Sequence, residues 1–303
     1  MLMSANPFAG LQFGPYKFLS QLSASQTSEV WLAEDTRLQR KLVVKLLPER
    51  LATDTVRVRR FEQEAWVTAA IHHPNILSIY DHGQDGKIFY IVVEYIEGQT
   101  LQQLLKSGQV KLTDALDITR QAASALAATH GAGIVHRNLK PENIMVREDG
   151  LVKLLDFGRA KLLVLNRSAN PPSALSTNRN WYLSDSATGL DTASYLSPEQ
   201  AIGLDVDTRS DLFCLGVLFY EMLTGVKPFT GATITEVLTA ILNSETPPLS
   251  QYIPQAPPRL EQIVSRTLRK EPAERYQTAN EFLQDLDNFK LELERETPCS
   301  NNI

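Results

Sequence analysis

Glycine is scarce in this 303-residue chain, with 15 in all, and none occurs between Gly14 and Gly83. Average usage near 7% would give roughly 21. Cysteine is scarcer still. Cys214 and Cys299 alone cannot build a disulfide framework, and Cys214, inside the apolar run Leu212–Tyr220, is expected to pack as a small hydrophobe. No apolar run approaches the roughly 18 residues of a membrane helix, and Met1–Gly14 lacks the basic-then-apolar pattern of a secretory signal. No membrane segment is therefore expected, and the chain reads as soluble and cytoplasmic. Positive charge is not in excess either: 30 Lys and Arg face 35 Asp and Glu, for a net charge of −5. That balance argues against nucleic acid as a partner. Internal repeats of about 20 to 50 residues are also missing, which argues against a solenoid.

What is present is a chain 43% apolar, long enough for two lobes and a substantial core. Its front reads as strands: Tyr16–Leu22, Ser28–Asp35, Leu42–Leu47, Ile76–Asp81 and Ile88–Tyr95 are short β-branched or aromatic runs broken by turn residues. One helix interrupts them over Thr55–Ile71, where Val58, Phe61, Ala65, Thr68 and Ala69 recur at helical spacing. From about Leu101 the period becomes helical, with helices predicted at Thr113–His130, Asp211–Leu223, Thr233–Leu242, Arg259–Leu268 and Ala279–Leu293. A strand-rich front with one helix and a helix-rich back predict an α+β protein of two lobes. Between Arg159 and Asp191 the pattern collapses into a run rich in Ser, Thr and Asn, with Pro171–Pro172 at its middle. A stretch this long is expected to be functional or without regular structure.

Four separated signals then stand in one order. Val43-Val44-Lys45 ends a predicted strand, Glu64 lies mid-helix, His136-Arg137-Asn138-Leu139-Lys140-Pro141-Glu142-Asn143 follows a long helix, and Asp156-Phe157-Gly158 follows a short strand. With Ser197-Pro198-Glu199, Asp211 and Arg275 farther on, this resembles the eukaryotic-type protein kinases, most closely the bacterial serine/threonine branch. The resemblance implies a bilobal fold: a small antiparallel β-sheet N-lobe with one helix (16–95) and a larger helical C-lobe (96–293). The 159–191 stretch becomes an activation-segment insertion, flanked at the termini by tails at 1–15 and 294–303.

The same resemblance assigns roles. Lys45, paired with Glu64, would hold nucleotide phosphates; Asp156 and Asn143 would ligate Mg2+; Lys140 would neutralise the transferring phosphoryl group. Leu22, Val30, Val43, Glu94, Ile96 and Met145 would line the nucleotide, with 94–96 as the adenine-facing hinge and Val93 as the gatekeeper before it. Arg137 would pair with a phosphate on the activation segment, with Thr192, Ser184, Ser186 and Thr188 as candidate acceptors. His72-His73-Pro74 reads as a link between the helix and the next strand rather than a metal pair, and Trp181-Tyr182 as a docking handle or local packing.

Three features, five positions in all, depart from the family pattern. Asn138 stands where the family has a proton-accepting aspartate. Ser23, Ser25 and Ser28 replace the three glycines that cover the phosphates. Val43 replaces an alanine over the adenine. A side chain at a left-handed position costs about 1–2 kcal/mol, so the serines are expected to stiffen and fill that loop. Together the departures imply a pseudokinase, a regulatory or scaffolding partner of another protein such as an active kinase or its substrate. ATP and Mg2+ sites would be weakened or lost. The alternatives are an active ATP-dependent serine/threonine kinase and a nucleotide sensor without transfer.

Overall fold

The computed structural model describes residues 10–25, 28–108, 110–162 and 189–296. Cys299, Trp181, Tyr182, Ser184, Ser186, Thr188 and most of the 159–191 stretch lie outside them. The chain divides into two units, one formed by residues 1–97 with 156–159, the other by 98–155 with 160–303.

The first unit is a six-stranded antiparallel sheet with one α-helix. Its strands are β1 (Gln12–Phe13), β2 (Tyr16–Ala24), β3 (Glu29–Asp35), β4 (Arg40–Leu47), β5 (Ile79–Asp85) and β6 (Ile88–Glu94), in the order β1-β2-β3-β4-β6-β5. Period-2 alternation sorts their side chains by face. Trp31 and Ala33 of β3 join Leu42, Val44 and Leu46 of β4 with Tyr16, Phe18 and Val92 in one core. A second core forms around Leu47, Ile91 and Val93 against the helix α1 (Thr55–Ala69), which contributes Phe61 and Ala65. Asp54 caps that helix, its side chain accepting from the Val56 and Arg57 amides at 2.9 and 3.3 Å. Register shifts in β2 at Phe18/Ser20 and Gln21/Ser23 break its alternation, leaving Leu19 and Leu22 exposed. The strand predicted at Ile76–Asp81 is displaced: β5 begins at Ile79 and extends through the polar residues His82–Asp85, because backbone pairing to β6 rather than apolar content defines it.

The second unit is mainly helical. Its helices are α2 (Leu101–Ser107), α3 (Leu112–Gly131), α4 (Leu190–Ala193), α5 (Pro198–Ala201), α6 (Thr208–Thr224), α7 (Ile234–Asn243), α8 (Pro258–Thr267) and α9 (Ala279–Glu296). At its centre α6 is buried on nearly every side, including Cys214, which packs as the sequence suggests. An apolar helix of this kind belongs inside a core.

Short strands interrupt the helical pattern of this unit, among them the one predicted before Asp156. β7 (Gly98–Thr100), β9 (Ile144–Arg147) and β10 (Val152–Leu154) form a three-stranded sheet, and β8 (Ile134–Val135) pairs with β11 (Lys161–Leu162). These strands are two to four residues long, too short for periodicity to register, and tertiary pairing supports them. Gly98 shows how tight that pairing is: a Cβ there would stand 2.4 Å from the Val146 carbonyl oxygen.

Candidate active site

In the first unit, alternation along β4 puts Lys45 on the face opposite Leu42, Val44 and Leu46. Its ammonium donates to both oxygens of Glu64, at 2.6 and 2.7 Å, and lies 3.8 Å from Asp156 Oδ1. The Lys45 and Glu64 side chains are only 20% and 13% exposed, so this is not a solvated surface pair. Burial opposes the charge on Lys45, but Glu64 and Asp156 overcome it and hold the ammonium above its ordinary pKa. The Glu64 carboxyl is pushed up by burial, against the pull of Lys45.

Asp156 adopts a left-handed backbone, φ 59°. Strain of this kind persists where surrounding structure over-determines it, and it clusters at functional sites. Gly158 sits close by: a Cβ there would meet Glu64 Oε2 at 3.0 Å and Asp156 Oδ1 at 3.2 Å. Glycine therefore lets the two carboxylates converge, a role the sequence motif alone did not assign.

The other nucleotide-lining candidates of this unit are spread along its strands. Leu22 is exposed on β2, Val30 pairs with Lys45 across β3 and β4, Glu94 ends β6 and Ile96 is buried. Val43 packs on the core beside α1, so its bulk is matched by Leu47, Phe61 and Ile91. Val93 is buried in that same core. The Glu94 carboxylate accepts from the Ser78 amide at 2.7 Å, which pins the start of the hinge stretch.

The serine loop differs from expectation. Among the described residues the non-glycine left-handed positions are Gln39, Arg137 and Asp156. Ser23, Ser25 and Ser28 are not among them, so the backbone cost foreseen for a Cβ there is not incurred. Instead Ser25 and Ser28 bracket the hairpin tip. The Ser25 amide donates to the Ser28 carbonyl at 2.8 Å, and the Ser28 amide donates to the Ser25 hydroxyl at 3.0 Å. The Ser25 hydroxyl in turn lies 3.1 Å from the Ser28 carbonyl oxygen.

In the second unit, the loop between β8 and β9 carries His136 to Asn143. Asp211, from the buried interior of α6, organises it. One carboxylate oxygen accepts from the His136 amide at 2.8 Å and lies 2.9 Å from His130 Nε2, and the other accepts from the Arg137 amide at 2.8 Å. Burial pushes Asp211 up, but these hydrogen bonds and the neighbouring histidines hold its carboxyl below the ordinary value. Gln200 donates to the Arg137 carbonyl at 3.0 Å, completing the hold on a residue whose φ is 66°.

That loop presents Asn138, buried, with Asn143 Nδ2 donating to its carbonyl at 2.8 Å. The bond commits the Asn143 nitrogen and turns its oxygen the other way, which is the donor atom a hard cation needs. The Lys140 ammonium makes no ion pair among the described residues. Met145 lies on β9 and Thr192 on α4. In the link between α1 and β5, His73 Nδ1 accepts from the Asn75 amide at 3.1 Å.

Each unit thus assembles its own set: Lys45, Glu64 and Asp156 in the first, Asn138, Lys140 and Asn143 in the second. Residues 16–286 match the protein kinase domain family. A protein of Clostridium acetobutylicum named a probable serine/threonine-protein kinase is 39% identical over 279 residues, covering 91% of this chain and 40% of its own length. Serine/threonine-protein kinase PrkC of Bacillus subtilis is 36% identical over 274 residues, covering 90% and 40%. The chain thus spans about two fifths of the length of these relatives. The crystal structure of the Mycobacterium tuberculosis PknI kinase domain superposes with a TM-score of 0.67 at 26% identity, over 92% of this chain and 98% of that one. The α+β architecture is therefore that of a protein kinase domain, and the chain belongs to that family.

Proposed function

We propose that this chain is a kinase-fold regulator in which phosphoryl transfer to a substrate hydroxyl is lost or strongly reduced. Asn138 carries the reading. It stands where the family resemblance puts a proton-accepting carboxylate, and an amide oxygen accepts a hydrogen bond but takes up no proton near neutral pH. Losing a positioned base costs roughly 10²–10⁴-fold in rate. The serine bracket adds to this, because the Ser25 hydroxyl is already engaged by the Ser28 amide and carbonyl.

Nucleotide binding is retained in this reading, though weakened. Lys45, already charged and oriented by Glu64, would meet the phosphates; Asp156 and the oxygen of Asn143 would hold Mg2+. The ion, when bound, neutralises phosphate charge. The regulated partner is another protein, an active kinase or a kinase substrate, and a phosphate on the activation segment near Arg137 would be one switch for it.

The second reading, an active serine/threonine kinase, is favoured by the assembled Lys45–Glu64–Asp156 set and by the names of the relatives. Transfer from labelled ATP, to the chain itself and to a generic basic protein, separates the two. No transfer is expected from the native chain. Transfer abolished by Lys45→Ala or Asp156→Ala would establish the enzyme instead. With ATP and Mg2+ at millimolar levels the thermal midpoint is expected to rise, and an unchanged midpoint would remove nucleotide from the proposal.

A further inference from the structure

Gln200 is the third residue of α5 and is 1% exposed, yet its side chain ends in an amide rather than an apolar group. A buried amide costs stability unless it is hydrogen-bonded, so its partners show what it is for. The oxygen accepts from the Ser197 amide at 2.9 Å and from the Cys214 thiol of α6 at 3.4 Å. Two donors on that side fix the orientation of the group. The nitrogen therefore faces the 136–143 loop and donates to the Arg137 carbonyl at 3.0 Å. That carbonyl and the Asn138 N–H belong to one planar peptide and point in opposite directions. On the far side the N–H donates to His136 Nδ1 at 3.2 Å. His136 Nε2 lies 3.0 Å from the Leu155 carbonyl oxygen, which makes Nε2 the protonated nitrogen and leaves Nδ1 to accept. The preceding peptide is held from α6, where Asp211 takes the Arg137 amide at 2.8 Å. Arg137 itself, at φ 66°, lies where an L residue finds little local support, so both peptides are positioned from outside.

We propose that Gln200 is a positioning residue: it sets the peptide between Arg137 and Asn138 and so couples the start of α5 to the placement of residue 138. When Ser197 shifts, the Gln200 amide turns with it and the Arg137 carbonyl loses its donor. The peptide then rotates and takes the Asn138 N–H off His136. Asn143 Nδ2 donates to the Asn138 carbonyl at 2.8 Å, so the displacement continues to residue 143. An apolar side chain of the same length would fill the space equally well but would give the Arg137 carbonyl no donor. The inference does not rest on the loss of phosphoryl transfer. It concerns where residue 138 stands, not which proton its side chain can take, so the two readings fail separately.

The test follows amide hydrogen exchange in the full chain, isotopically labelled, by nuclear magnetic resonance. Gln200→Met keeps the length of the side chain and removes the donor. Gln200→Asn keeps the amide but is one methylene too short to join Ser197 to Arg137. In each variant the Asn138 amide is expected to move in the spectrum. It is also expected to exchange at least about fivefold faster, taken as a ratio to the interior amides of α3, which report global opening. Ser197→Ala controls for a merely structural effect. It removes the hydroxyl that caps α5, accepting from the Gln200 amide at 3.3 Å, and keeps the backbone N–H that orients the Gln200 side chain. This variant is expected to lower the thermal midpoint and to leave the Asn138 ratio at its native value. A native ratio in either Gln200 variant overturns the proposal, and so does a ratio raised as much by Ser197→Ala. Each Gln200 variant decides alone, so if one fails to fold the other is still read.

Discussion

Glu199 and Arg275 form the most deeply committed ion pair of the second unit. Arg275 is 1% exposed and donates to both carboxylate oxygens of Glu199, at 2.8 and 2.9 Å. Its remaining donors reach the carbonyls of Arg269 and Lys270, and Ser210 donates to Glu199 as well. Every charge-bearing atom is thus satisfied, which is the condition under which a buried pair holds a fold together. Glu199→Ala leaves a buried guanidinium without its counter-charge and is expected to destabilise the second unit by about 3–5 kcal/mol, read as a lowered midpoint in urea unfolding followed by circular dichroism. The residues of this pair were legible as motif matches in the sequence, and so were Lys45, Glu64 and Asp156. Their partnerships were not, because the separation of 76 residues between Glu199 and Arg275 carries no periodic signal. Trp66 was invisible for a different reason: a tryptophan in a helix is ordinarily assigned to the core, and only the packing of α1 shows that it is left in water.

At the scale of the element, the β2–β3 hairpin is where sequence and structure part most usefully. Serines in place of the three loop glycines predict backbone strain at residues 23–28, and that strain is absent at Ser23, Ser25 and Ser28, which hold ordinary backbone angles. What replaces it is the Ser25–Ser28 bracket, a property of hydroxyl geometry across a turn that composition cannot express. The bracket closes the hairpin tip on itself. Ser25→Gly with Ser28→Gly removes the side-chain hydrogen bonds and restores conformational freedom. The expected result is ATP binding tighter by about 1 kcal/mol, roughly fivefold, with a thermal midpoint no higher than the parent's. Titration with a fluorescent nucleotide checks this, and weaker or unchanged binding would show that the serines serve the nucleotide directly. Helix α1, by contrast, was legible almost to its ends, since its apolar spacing and its Asp54 cap are both local.

For the whole molecule, depressed carboxyls predominate in the second unit, against the raised Glu221, while in the first the depressed Asp35 stands against the raised Glu64. In the second unit Asp211, surrounded by His130, His136 and the Arg137 amide, and Glu199, against Arg275, are both held below their ordinary values despite burial. Carboxyls depressed in the folded state contribute stability that is full above the ordinary carboxylate range and is lost as pH falls through the depressed values. In the first unit the Glu64 carboxyl is raised by burial. Its charged form costs stability above the raised value, and protonation as pH falls removes that cost. Acid therefore weakens the second unit while relieving this position in the first. Trp31 and Trp66 both belong to the first unit, so Trp181→Phe makes indole fluorescence a reporter of that unit alone. Far-ultraviolet circular dichroism reports chiefly the helices of the second. Between about pH 5 and about pH 2.5, the dichroism midpoint is expected to fall by more degrees than the fluorescence midpoint. Coincident shifts would mean that the units unfold as one cooperative block, in which the buried carboxylates of one unit set the stability of both.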